Sequence, residues 1–512
     1  MPVRIFMRQC QAIKVAIQAW IEPRGVMESL SANVGAHRPV SECVPLCVDL
    51  DGTLIHSALL VESALALLSR SPWSIFPMLG WLLRGKAHLK REIASRVTLD
   101  PALLPYNANV LEWVREQQPL RPVVLCTASD AELAEAVAAH VGGFDAVLAS
   151  DGQRNLSGSN KAQTLVELYG ERGFDYIGNA KVDLKVWKHA HAAITVESGK
   201  SLSEAAAQVT TVEKRFKLPS PGIKHWLKAL RVHQWVKNAL VFLPLLAAHR
   251  LFEVEAVVST LLAFVCFSLC ASSVYITNDL LDLASDRQHH RKKNRPFAAG
   301  HLPLIAGPIV AAGLLLISFA LATILREVFV AVLAGYYVLT SAYSLRFKRI
   351  VMLDVVVLAT LYTSRIVAGT AAIQTKPSFW LLAFSMFIFL SLAMVKRYIE
   401  LLSAQKAGKI NASGRGYDVG DIPLIQSLGA ASGYLSVLVL ALYIDSPDSR
   451  VLYHHPHYLW LLCPLLLYWI SRTWAIAHRG VMHDDPVVFA VTDRLSRGLL
   501  VIAALVILFA IQ

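Results

Sequence analysis

Residues 276–300, ITNDLLDLASDRQHHRKKNRPFAAG, follow a long apolar run and set one Asn and three Asp ahead of five Lys and Arg residues. Read as the end of a membrane helix, Asn278, Asp282 and Asp286 stand four apart and Asp279 three before Asp282, so they largely share one face. Like charges that close repel unless a cation sits between them. Mg2+ suits the place, because it takes oxygen ligands and is commonly held by one or two carboxylates plus substrate phosphates. Arg287, Lys293 and Arg295 would then meet phosphate charge left over by the metal. A helix end whose acids simply pair with the basic run accounts for the charges but not for their NDxxDxxxD spacing. Ionisable groups at membrane depth are functional by default.

Working outward, apolar runs lie near 236–249, 254–277, 303–325, 327–344, 351–373, 378–395, 424–444, 458–476 and 496–511. Since ~20 residues cross the hydrocarbon core, the pattern predicts about nine helices, the first of them short. The 512 residues are 55% hydrophobic and 17% charged with a net charge of +12, which excludes an ordinary soluble two-domain enzyme. The basic loops alternate. Arg287/Arg291/Lys292/Lys293/Arg295, Arg346/Lys348/Arg349, Lys396/Arg397/Lys406/Lys409/Arg415 and Arg479/Arg494 follow the even-numbered runs, whereas the other loops hold little beyond Arg250, Arg326, Lys376 and Arg450. The positive-inside rule puts the rich loops and the N-terminal half in the cytoplasm of a bacterial-type inner membrane, with Gln512 outside.

The first 225 residues mix polar and apolar like a globular domain. Residues 1–40 read as a leader without the apolar core of a signal peptide. The seven cysteines form neither a disulfide framework nor a zinc site, since Cys43 and Cys47 have no second ligand pair. Strands are expected at 44–50, 122–128, 146–150, 175–179 and 192–196, with helices at 58–70, 75–97 and 107–117, which predicts a parallel, doubly wound α/β sheet over 41–204. Residues 205–225, with Pro219, Pro221 and Gly222, read as a linker to a membrane domain over 226–512.

CVDLDGTLIHS (47–57) places Asp49 and Asp51 at the C-terminal end of the first strand, where open α/β sheets bind ligands. Two carboxylates one residue apart can divide labour between attack or metal binding and proton transfer. With the strand-terminal Thr127, Lys161, and Asn179 and Asp183 in YIGNAKVD, the order resembles the haloacid-dehalogenase-type phosphotransferases over roughly 42–200. That resemblance implies a Rossmann-like domain with a small helical cap, Asp49 as nucleophile and Asp51 as acid/base. It also implies Thr127 and Lys161 on the phosphoryl group and Mg2+ held by Asp49, Asp51, Asn179 and Asp183. The family usually has an acid where Asn179 stands, which weakens the metal site; a decayed scaffold is the competing reading.

NDxxDxxxD, the basic loop and the apolar runs are similar to the UbiA-type intramembrane prenyltransferase superfamily over 225–512. LRVHQWVKN (230–238), YSLRFKRIVMLDVVVLA (343–359), SLAMVKRYIEL (391–401), GRGY (414–417) and HRGVMHDDPVVFAVTDR (478–494) resemble its polyprenyl-phosphate phosphoribosyltransferase branch. Val232 stands where that branch more often has Pro. The second DxxxD cluster of ordinary prenyltransferases is replaced by Lys396, Arg397, Tyr398 and Glu400. The resemblance implies transfer of phosphoribose from phosphoribosyl pyrophosphate to a polyprenyl phosphate, with Asn278, Asp279, Asp282 and Asp286 on Mg2+ and Asp279 and Asp282 central to catalysis. Arg287, Arg295, Tyr343, Lys348, Lys396 and Arg397 are the expected pyrophosphate and 5-phosphate contacts. Gln234, Lys237 and Asn238 are expected at the lipid phosphate, the competing reading being an interfacial anchor, where Trp235 and Lys237 are common. Arg365, inside an apolar run, either contacts phosphate or pairs with Asp354. His483, Asp484 and Asp485 read as a metal or gating loop through the resemblance alone.

The fusion suggests a bifunctional enzyme in which the tethered phosphatase removes the 5-phosphate. The alternatives are an aromatic prenyltransferase using a prenyl diphosphate and a transporter or lipid-binding protein with a regulatory domain. The expected partners are the bilayer, a polyprenyl phosphate and phosphoribosyl pyrophosphate, with a homo-oligomer compatible and nucleic acid not expected.

Overall fold

The computed structural model describes residues 44–218, 222–408, 415–482 and 485–511, and Asp448 without its side chain. The leader 1–40, Gly414, His483 and Asp484 lie outside the described residues. Two compact units emerge, one of the chain up to Ala229 with Asp279–Ile309, the other of Leu230–Asn278 with Val310 onward.

In the first unit six strands, β1 (Leu46–Val48), β2 (Val123–Asp130), β3 (Ala146–Ser150), β4 (Asp175–Gly178), β5 (Ala192–Glu197) and β6 (Thr211–Lys217), form one sheet ordered β3-β2-β1-β4-β5-β6. Every pairing is parallel. Alternation in the strands explains why both faces are covered. Leu46, Val48, Val123, Leu125, Ile177 and Ile194 enter one core with Trp113 and Val137. Cys47, Val124, Cys126, Tyr176 and Ala193 enter the other with Leu165 and Trp187. The strand order turns at β1, with β2 on one side and β4 on the other, which opens a ligand crevice at the C-terminal strand ends.

β6 corrects the expected linker: residues 205–225 contain the end of helix Ser201–Ala207 and then an edge strand paired with β5. Its sequence TVEKRFK carries four charges on a mostly exposed edge, a device that discourages further pairing and reads as linker composition. The expected helix over 75–97 is broken into Ile75–Leu83 and Lys86–Ala94 by Gly85, whose φ of +113° few other residues adopt.

Among its described residues the second unit has helices and no strand. Among the described residues seven helices are long and apolar enough to cross a membrane: Val254–Leu281, Glu327–Leu345, Leu353–Ala372, Phe379–Lys406, Val419–Asp445, Pro456–His478 and Arg494–Ile511. Of the other two expected runs, 303–325 forms the 17-residue helix Ala306–Ala322. The run at 236–249 forms a 3-10 stretch, Val232–Phe242, and the short helix Leu243–Ala247, because Pro244 cannot supply an interior helix donor. Small residues let helices approach: Ser391 Oγ donates to Gly429 O at 2.7 Å, and a Cβ on Gly429 would fall 2.3 Å from Trp474.

Candidate functional site

In the α/β unit, Asp49 leaves β1 with its backbone N–H bonded to Ile177 O, so the carboxylate sits at the strand-order switch. Gly52 turns the chain at φ +75°; a Cβ there would lie 2.1 Å from Asn179 Nδ2. Buried Lys161, early in helix Ser159–Tyr169, donates to Asp49 Oδ1 at 2.8 Å, Cys126 O at 3.0 Å and Tyr176 Oη at 2.7 Å. Tyr176 in turn donates to Asp183 Oδ1 at 3.2 Å, and Asp183 Oδ2 accepts from the backbone N–H of Asn179 and Ala180. Asp51 Oδ1 accepts from Leu59 N and Oδ2 from Ser129 Oγ, while Thr127 Oγ1 accepts from Ser129 N. The structure thus brings Asp49, Asp51, Thr127, Lys161, Asn179 and Asp183 to one end of the sheet.

The electrostatics separate the carboxyls. Burial, then the charge of Asp49, pushes Asp183 up to about 6. Burial also raises Asp51, against the Leu59 N–H, with Asp49 adding to the rise. Burial alone would lower Lys161, but Asp49 and its neighbours raise it, so it stays a cation. Sequence reading missed Ser129, Tyr176 and Lys90. Lys90 reaches from helix Lys86–Ala94, one of the helices between β1 and β2 (Leu59–Ala94) that form the cap, to Asn155 Oδ1 (2.7 Å) and Ala128 O, one residue past Thr127. A lysine in that cap helix had no motif to mark it.

The NDxxDxxxD stretch is not one smooth helix. Helix Val254–Leu281 ends at Asp282, where ψ swings to +11°, and Leu283–Gln288 continues separately. Asp279 and Asp286 are almost fully buried, and Arg295 Nη1 bridges them at 3.0 and 2.6 Å. Asp286 Oδ1 is buried with no hydrogen-bond partner. Asp282 is half-buried. Arg287, expected at phosphate, is committed elsewhere: it forms a bidentate pair with buried Glu62 at 3.0 and 2.7 Å and donates to Ala298 O. A guanidinium fork so matched to a carboxylate has few donors left over.

In the membrane unit two charge clusters form. Lys237 and Lys396 converge on one oxygen, Asp485 Oδ2, at 2.7 and 3.1 Å. Asp485 also caps helix Pro486–Thr492 by accepting from Val487 N. Leu358, Tyr362, Leu392, Ala393, Pro486 and Val487 wall an apolar cavity beside it. Buried Asn238 accepts from Arg365 Nε at 2.8 Å, and Arg365 also donates to Tyr336 Oη. Arg365 therefore does not pair with Asp354. That carboxylate is claimed by Arg397 and Tyr417, and Arg397 also meets Glu400 and Tyr343. Arg397, expected at phosphate, is 1% exposed and ringed by acceptors, because its helix turns it inward. Gln234 and Lys348 are half-buried, and Asn278 donates to Ser344 Oγ.

A family model described as the UbiA prenyltransferase family matches residues 239–497. The chain belongs to the UbiA prenyltransferase family. It is 37% identical over 459 residues to the protein y4nM of Sinorhizobium fredii, covering 88% of each chain. That alignment is longer than either unit, so the relative shares both. Decaprenyl-phosphate phosphoribosyltransferase of Mycobacterium tuberculosis is 37% identical over 186 residues, 36% of this chain and 62% of its own. The protein of that name from Mycolicibacterium smegmatis is 30% identical over 284 residues, 54% and 89%. Among solved structures, a UbiA homolog from Archaeoglobus fulgidus bound to GPP and Mg2+ aligns with 56% of this chain and 98% of its own, at 17% identity and a TM-score of 0.42. A phosphoserine phosphatase aligns with 37% of this chain and 99% of its own, at 13% identity and a TM-score of 0.24. Likeness that loose carries no residue-level argument.

Among the described residues no three His, Cys, Asp or Glu side chains close around one point as a complete metal cage. Mg2+ needs no such cage when substrate phosphates complete its shell. The paired Asp279 and Asp286, with the orphaned Asp286 Oδ1, fit that incomplete donor set. In the α/β unit Asp49 and Asp183, linked through Lys161 and Tyr176, fit it as well.

Proposed function

We propose that the protein is a bifunctional membrane enzyme that transfers 5-phosphoribose from phosphoribosyl pyrophosphate to a polyprenyl phosphate and then removes the 5-phosphate. The observation that carries the transfer reading is the Lys237–Asp485–Lys396 cluster: two cations share one carboxylate beside an apolar cavity. A lipid phosphate offers the negative charge that this pair of cations lacks. The named phosphoribosyltransferase relatives support the choice of donor.

In this reading a lipid-phosphate oxygen attacks C1 of the ribose, the C1–O bond breaks, and pyrophosphate leaves with the electron pair. Lys237 and Lys396 orient the attacking phosphate, which is already anionic and needs no strong base. Arg365, held by Asn238 and Tyr336, adds positive charge in the same unit. Asp279, Asp282 and Asp286, with Asn278, would hold Mg2+, which supplies charge stabilisation for the departing pyrophosphate. Arg295 holds Asp279 and Asp286 in register until the diphosphate arrives and is then released to it.

In the α/β unit an Asp49 oxygen attacks the 5-phosphate, and the ribosyl oxygen leaves with a proton from Asp51. Water then opens the aspartyl-phosphate as Asp51 takes the proton back. The raised Asp51 suits the donor role. Lys161 and Thr127 steady the phosphoryl oxygens, and Asp49, Asn179 and Asp183 would hold Mg2+ there.

Mass spectrometry of the lipid formed from purified protein, Mg2+, a polyprenyl phosphate and phosphoribosyl pyrophosphate tests both halves. A ribosyl-lipid lacking the 5-phosphate is expected from the native chain. Asp49→Asn should stop at the phosphoribosyl-lipid, with hydrolysis down about 10³-fold or more. A folded protein that makes no sugar-lipid, but prenylates an aromatic acceptor from a prenyl diphosphate, would overturn the proposal.

A further inference from the structure

In the cap of the α/β unit, residues 72–83, PWSIFPMLGWLL, form a short 3-10 turn and the helix Ile75–Leu83, none of whose residues is buried. Leu83 is 90% exposed, Trp73 76%, Phe76 63% and Leu79 56%. Only one edge is used internally: Met78 and Trp81 pack on Leu67, Leu89 and Ile93. Trp73 stacks with Phe76, so the outward face is contiguous. A soluble domain rarely leaves such a patch bare without a partner for it.

The charges around the patch say what that partner is. No acidic residue occurs between Glu62 and Glu92, while Arg70, Arg84 and Lys86 are exposed at the two ends of the apolar segment. Apolar residues with tryptophan at the margin and basic flanks match a leaflet carrying anionic headgroups. The same unit holds the second ingredient. Glu62, on the helix Leu59–Arg70 that runs straight into this segment, is clamped to Arg287, six residues beyond the membrane helix Val254–Leu281. The helix Leu59–Arg70 is thus fastened to the short helix Leu283–Gln288, which follows the apolar helix Val254–Leu281 in the chain.

We infer that Pro72–Leu83 lies in the cytoplasmic leaflet and docks the phosphatase on the lipid surface, presenting its cleft to a lipid-linked phosphate. The choice of substrate rests on the bifunctional reading; the docking does not. Trp73, Phe76, Leu79 and Leu83 enter the acyl boundary, and Arg70, Arg84 and Lys86 meet anionic headgroups. Lys90, on the next cap helix, reaches back to the end of β2 beside Thr127, so the docked element is continuous with the active site.

The full chain in nanodiscs of phosphatidylethanolamine and phosphatidylglycerol tests it, with a photo-reactive benzophenone side chain at Phe76 or Leu83 and, as control, at exposed Gln163. Lipid adducts at Phe76 and Leu83, absent at Gln163, are expected by mass spectrometry. Adducts to a second copy or to another peptide of the chain, or none, would overturn the docking. Because that readout needs no turnover, it stands apart from failure of the bifunctional reading. A Phe76→Ser/Leu79→Ser/Leu83→Ser variant should hydrolyse p-nitrophenyl phosphate at the native rate and bilayer-embedded phosphoribosyl-lipid about tenfold more slowly. Equal loss on both substrates would overturn the presenting role.

Discussion

The two charge clusters of the membrane unit use the same chemistry to opposite ends. Around Asp354 the accounts are closed: Arg397 and Arg415 face Asp354 and Glu400, and Tyr343 and Tyr417 fill the remaining directions. Around Asp485 they stay open, with Lys237 and Lys396 on a single oxygen beside a cavity. A closed network holds helices Leu353–Ala372 and Phe379–Lys406 together with nothing left for a ligand. An open one carries unspent positive charge that only an incoming anion can satisfy. The α/β unit holds two buried pairs that differ by place: Glu62–Arg287 is a matched fork, whereas Lys161–Asp49 stands at the C-terminal strand ends, where open α/β sheets bind ligands.

Removing one partner of the closed network should have the largest effect. Asp354→Ala leaves Arg397 buried with one of its two carboxylate partners gone, which costs about 3–5 kcal/mol. Thermal unfolding in detergent should show it as a marked loss of stability. Asp485→Ala, at the open cluster, should cost less, about 1–3 kcal/mol, since buried Lys237 loses its carboxylate but partly exposed Lys396 regains water. Equal destabilisation by both would erase the distinction.

Lys237→Ala should be the mirror image, leaving the melting curve nearly unchanged while kcat/KM for polyprenyl phosphate falls about 100-fold. Lys237→Arg should recover only part of that, because a planar fork does not replace a point charge on a shared oxygen. Steady-state transfer assays at saturating phosphoribosyl pyrophosphate separate the outcomes.

The α/β site offers a pH test of intermediate size. Asp183 is pushed up to about 6, chiefly by burial and then by Asp49, so its carboxyl holds a proton below that pH. A metal ligand must be ionised, so the Mg2+ concentration for half-maximal p-nitrophenyl phosphate hydrolysis should rise about tenfold per unit as pH falls below about 6. Above about 7 it should be flat. A flat response throughout would remove Asp183 from the metal.

How far these clusters could be read without the fold follows from what each depends on. Asp49 and Asp51 could be placed at the end of the first strand from the apolar run before them and the turn at Gly52, whereas Thr127 and Lys161 entered only through the resemblance to the haloacid-dehalogenase-type phosphotransferases. The partners of buried charges were not. Arg365, inside an apolar run, is the candidate that the sequence offers for Asp354, yet Arg397, read there as a phosphate contact in a basic loop, takes it. Arg287 looks like a phosphate contact by its place in the basic loop, yet its partner lies 225 residues earlier. Tyr176 looks like a core strand residue until its hydroxyl is seen joining Lys161 to Asp183. Sequence supplies the inventory of charges; tertiary packing decides which are spent.

The smallest effect is the most diagnostic. Asp485→Asn keeps an oxygen to accept from Val487 N, so the cap of helix Pro486–Thr492 survives. What disappears is the negative charge that competes with a lipid phosphate for Lys237 and Lys396. If the cluster is a seat that Asp485 holds until substrate displaces it, KM for polyprenyl phosphate should fall about three- to fivefold with kcat little changed. If Asp485 instead fixes the lysines in their working geometry, KM should rise and kcat should drop with it. The sign of one KM change therefore separates a placeholder from a scaffold. High salt sharpens the test, because an exposed competitor would be screened and this enclosed one much less.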